Sequence, residues 1–105
     1  SLFPADQSVN AEISTASLDD VNEAIEKADL AWRKAEWRNS IPHERARILY
    51  KVADIIQARV DELSKLQTRD NGKPLAETRA LTLSAAATAR YVAAACETLN
   101  DELKT

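Results

Sequence analysis

"TRDNGKP", residues 68–74, holds the only glycine of a 105-residue chain and one of its three prolines. Average usage, about 7% glycine, would give such a chain several. A lone glycine between an acid-amide pair and a lysine can belong to a phosphate-cradling loop, a metal site or a turn between helices. The first fails on number. The dinucleotide fingerprint needs three glycines and the Walker loop two, so that backbone can approach phosphate closely. The turn needs only what is present. Gly72 supplies the left-handed residue that ends one helix, and Pro74 opens the next.

The helix that ends at Asn71 and Gly72 begins near Ile41 or Pro42, where a proline costs no hydrogen bond. Its apolar stripe is Leu49, Val52, Ala53, Ile56, Val60 and Leu63, widened by Ile48, Ile55 and Leu66. A stripe this broad predicts contacts with more than one neighbour. Beyond the turn, Ala76, Ala80, Leu83, Ala87, Tyr91 and Ala94 recur at helical spacing and form the predicted inner face of a third helix. Seven of the thirteen residues of "SAAATARYVAAAC", residues 84–96, are alanine. Little bulk holds neighbours away there, so close packing is expected.

Toward the N-terminus, Val21, Ala24, Ile25, Ala28, Ala31, Trp32 and Ala35 mark a first helix that closes around Trp37. Ser17 or Asp19 can cap it, and acids at 19, 20 and 23 sit near its positive end. "FPADQSVNAEISTA", residues 3–16, lacks that period. Val9, Ala11 and Ile13 alternate with polar neighbours, which predicts a short strand or hairpin arm. Such a strand needs a partner, and none is evident in this sequence. The predicted fold class is mainly α: a single unit, residues 1–105, with a strand arm over 1–16 and three long helices over 17–105.

Apolar residues are 45% of the chain and charged residues 30%, with a net charge of −3. That suits a folded, soluble, helix-rich polypeptide. Lysines and arginines are interleaved with acids, so no basic stripe exists to neutralise phosphates, and nucleic acid is not an expected partner. A single cysteine makes no internal disulfide. No apolar run reaches the roughly 18 residues that span a bilayer. No signal-peptide pattern opens the chain. The expected setting is cytoplasmic, without a membrane partner.

Candidate chemistry is sparse. Cys96 is the only possible thiol nucleophile, but it lies late in an alanine-rich helix, followed by an acid and far in sequence from His43. Activated cysteines need a helix N-terminus, a histidine or a basic cluster, so a buried structural thiol is the reading. His43, alone, gives no transition-metal signature and is expected exposed in a helix first turn. Trp32 and Tyr91 are read as core. Glu44–Arg47 is read as a solvated face or as interdomain ion pairs. Asp70 lies against the negative end of its helix and needs a compensating donor or cation. It is either a turn-stabilising aspartate or a ligand of a monovalent cation.

"DVNEAIEKADLAW" (20–32), Trp37 ahead of "PHERARILYKVADII" (42–56), "DNGKPLAET" (70–78) and "ARYVAAA" (89–95) resemble, in order and spacing, the N-terminal part of the aldehyde dehydrogenase superfamily. The resemblance runs from about Pro4 to the end. It departs at Gln67, where glutamate is usual, and at "RYVAAA". It implies an α/β fold when complete, in which these helices flank the cofactor-binding domain and the leading strands join a sheet made by other chain. It implies oxidation of an aldehyde to a carboxylic acid with NAD or NADP, through a cysteine thiohemiacetal, hydride transfer and a glutamate-activated water. The family's catalytic cysteine and glutamate, its oxyanion-hole asparagine and its glycine-bearing cofactor segment match no position here. No catalytic or cofactor-binding residue is therefore expected, and the chain alone should be inactive.

What carries over by resemblance is a monovalent-cation ligand at Asp70, and substrate-tunnel positions at Ala80 and Ser84, where small side chains imply a roomy mouth. The implied partners are the remainder of the enzyme chain, an aldehyde, and further copies in a homodimer or homotetramer. A free-standing helical interaction module is the alternative reading. The open reading frame separates the two.

Overall fold

In the computed structural model, which describes residues 1–98, five helices follow an N-terminal arm. They are α1 (Leu18–Arg33), α2 (Ala35–Arg38), α3 (Pro42–Ala58), α4 (Val60–Asn71) and α5 (Leu75–Thr98). The predicted class, mainly α, agrees; the three long helices do not. Two of them are each divided by one non-helical residue. The expectation of helix beyond 98 lies outside the described residues.

Helix α1 begins on a capping box. Ser17 Oγ accepts the Asp20 amide at 3.1 Å, and the Asp20 carboxylate accepts the Ser17 amide at 2.9 Å. The Ser17 amide, then its hydroxyl, holds the Asp20 carboxyl below the ordinary aspartate range. Lys34, in extended conformation, ends α1 before the predicted stop at Trp37. The short α2 then places Trp37 against Arg45 of α3, with the guanidinium 5.1 Å from the ring centroid. The same Arg45 donates to Ser40 Oγ at 2.9 Å and to the Trp37 carbonyl at 3.0 Å. One half-buried arginine thus fixes the α2–α3 link, a role more specific than the solvated face expected of residues 44–47.

Ile41 caps α3 and Pro42 opens it, as expected. The break at Arg59 was not expected, since neither proline nor glycine is present. The Arg59 amide reaches the Ile55 and Ile56 carbonyls at 3.1 and 3.2 Å. Its side chain grips Glu62 through two hydrogen bonds of 2.9 and 2.7 Å. That fork across one turn raises the arginine pKa and lowers the glutamate's, and α4 begins with Asp61 and Glu62 at its positive end.

The core lies along α5, at its seams with α3 and with α4. It consists of small side chains: Ala46 and Ala53 of α3, Ser64 of α4, and Thr78, Thr82, Ala86 and Ala93 of α5. Ala46 and Ala53 are seven residues apart, as are Ala86 and Ala93, a spacing that returns small residues to one face and lets backbones approach closely. Thr68 and Thr78 share a hydrogen bond of 2.8 Å, and Ser64 donates to Thr82 at 3.4 Å. Every buried side-chain polar atom among the described residues has a partner. Arg90–Asp54 and Arg79–Asp61 pair across the outside of the two seams.

This core overturns the predicted inner face of the third helix. At 100° per residue, Ala76, Ala80, Leu83, Ala87, Tyr91 and Ala94 lie on the side of α5 opposite the buried stripe, and all are exposed. Tyr91 is 76% exposed and Trp32 55%, so neither is core. Of the second-helix stripe, Ala53 is buried and Leu49, Ile56, Val60 and Leu63 are half-buried, whereas Val52 is exposed. The widening residues Ile48, Ile55 and Leu66 are exposed as well. No residue of α1 is buried.

Of the two alternatives, strand or hairpin, the arm holds no strand and is a tight hairpin-like loop. Leu2 and Val9 form one antiparallel bridge, Phe3 N donates to Ser8 O, and Gln7 adopts φ 63°. Residues 10–17 have no regular structure. Val9 and Ile13, two of the alternating residues, are exposed. The described residues include no partner strand, and a strand without one leaves its backbone groups unpaired.

Candidate functional site

The last turn of α4 is where the sequence concentrates its signal, and the arm is fastened to it. Gly72 is left-handed, φ 77°, and its amide closes on the Thr68 carbonyl at 2.8 Å. Asn71 Oδ1 accepts the Lys73 amide at 3.0 Å, and the Pro74 carbonyl accepts the first amides of α5, from Glu77 and Thr78, at 3.0 Å. Pro74 therefore stands just ahead of the helix it opens. A Cβ built on Gly72 would sit 3.1 Å from Pro4 Cβ. The open side of the glycine is filled by the arm, so this backbone cannot cradle a phosphate.

Asn10 binds the same helix end twice. Its amide donates to the Arg69 carbonyl at 2.6 Å, and its carbonyl accepts from Arg69 Nε at 3.2 Å. The Arg69 guanidinium lies 5.2 Å from the Phe3 ring centroid. Ser1 Oγ donates to Asp70 Oδ1 at 2.7 Å. An open groove results, bordered by Asn10, Ile13, Leu66, Arg69 and Asp70. Asp70 is exposed at its edge. Its carboxylate is one hard oxygen donor group, and a cation there would need further oxygens. Among the described residues, no three His, Cys, Asp or Glu side chains are grouped to hold a metal ion.

Ala80 and Ser84 are exposed and share one face of α5, a turn apart. Neither meets Asp70's groove, which is bordered by the arm and α4. Cys96, expected buried, is half-buried, and its thiol points to the Pro42 carbonyl, 3.6 Å away. The fold does bring it to the same end of the α3–α5 pair as His43. The imidazole, however, meets Glu97 through Nδ1 at 3.0 Å, with the Tyr50 hydroxyl on the other carboxylate oxygen at 3.5 Å. His43 is 76% exposed at its side chain, as expected; its partnership with Glu97 spans 54 residues and has no local signal. The arm's anchors, Pro4 and Asn10, were also missed, because their partners lie some sixty positions on.

Together these features describe a helical chain with large apolar side chains exposed and no assembled catalytic set among the described residues. The model of the aldehyde dehydrogenase family matches residues 1–105, and the chain belongs to that family. It is 42% identical to betaine aldehyde dehydrogenase 2 of Rhizobium meliloti over 74% of this chain and 16% of that protein. It is 35% identical to phenylacetaldehyde dehydrogenase of Pseudomonas fluorescens over 86% of this chain and 18% of that protein. The matched segment is thus less than a fifth of these relatives' length. No solved structure matches.

Proposed function

We propose that this chain is the N-terminal portion of an NAD(P)-dependent aldehyde dehydrogenase, and that it serves as scaffold for catalytic residues supplied by the rest of the polypeptide. The observation that carries the reading is the family match along all 105 residues beside relatives several times longer. The apolar side chains left exposed on α1 and on the outer face of α5 support it. In the assembled enzyme, an aldehyde is oxidised to a carboxylic acid with NAD or NADP as hydride acceptor, through a cysteine thiohemiacetal. Cys96 is not that cysteine, because its thiol faces a backbone carbonyl and no base is bonded to it among the described residues. The purified chain, incubated with an aldehyde and NAD or NADP, is expected to reduce no nicotinamide. Turnover by this polypeptide would overturn the proposal.

Within the same reading, Ala80 and Ser84 border the substrate tunnel, and Asp70 gives one carboxylate to a monovalent-cation site. Rubidium or thallium soaked into crystals of the complete enzyme is expected to scatter anomalously beside Asp70. A map without a peak there leaves Asp70 as a turn residue only. The assembly is a homodimer or homotetramer in the cytoplasm, which sedimentation of the complete protein and fractionation of cells check. Among the described residues no helix is long and apolar enough to cross a membrane.

A further inference from the structure

We draw no further inference here: the strongest candidate, the apolar groove between α2, α3 and α5 bordered by Trp37, Ile48, Leu49, Val92, Ala95 and Cys96, is an unpartnered face, and nothing in the structure shows what covers it.

Discussion

Gly72 answers to two constraints at once. Its φ of 77° is a conformation that side chains resist, at about 1–2 kcal/mol for most residues. Pro4, 3.1 Å from where a Cβ would stand, adds a steric one. The two can be separated. Gly72→Ala suffers both, and its urea midpoint, followed by helical circular dichroism, is expected to fall by the equivalent of more than the about 1–2 kcal/mol of the backbone constraint alone. Combining it with Pro4→Gly, which empties the contact, should restore only the steric part. If Gly72→Ala unfolds at the same midpoint as the parent chain, the left-handed cap contributes nothing. The backbone half of this was readable from "DNGKP", because a glycine ahead of a proline has few helical uses other than a cap. The Pro4 half was not, since no local pattern says which distant residue will lie over a glycine.

The elements were readable where an apolar period met a cap, and misread where all sides of a helix were alike. Ser17 and Asp20 announce α1, and Pro42 announces α3, through chemistry confined to one turn. Arg59 carries no such mark: it is neither proline nor glycine, and its fork to Glu62 is an i,i+3 pair that unbroken helices also contain. Helix α5 has alanines on every side, so periodicity cannot choose a phase. Tyr91 and Leu83, the bulkier members of one candidate stripe, drew the inner face to the wrong side. The true inner face is small because α3 approaches closely. Ala86→Leu, at 1% exposure, is therefore expected to overpack the seam and cost about 1–3 kcal/mol. Ala80→Leu, on the outer face, should stay within about 0.5 kcal/mol of the parent chain. Equal costs, or the reverse order, would restore the other phase. If Ala80 borders the substrate tunnel of the complete enzyme, the same Ala80→Leu should raise KM for bulky aldehydes more than for acetaldehyde.

At the scale of the molecule, the missing quantity is burial. The chain exposes 8501 Å², whereas a folded monomer of this length exposes about 5,800 Å². Its radius of gyration is 18.5 Å, against about 13 Å for a compact domain of about a hundred residues. Helix α1 accounts for part of this, touching α2 but no other helix among the described residues while Val21, Ile25, Leu30 and Trp32 stay exposed. Such a helix keeps its caps but gains little from packing. Sequence periodicity reported that these residues form a face; it could not report what the face meets, which under the proposed reading is the remainder of the enzyme. Both tryptophans are well placed to report the meeting, Trp32 at 55% exposure and Trp37 at 46%. Under the proposed reading, the chain alone should fluoresce at long wavelength and be quenched readily by iodide. Mixing it with the separately expressed remainder of the enzyme should shift the emission blue and protect it from iodide, because association removes water from α1. Trp32→Phe should abolish most of that change if α1 is what docks. A mixture whose emission and quenching equal the sum of its parts would mean that the apolar face of α1 meets something other than the rest of its own enzyme.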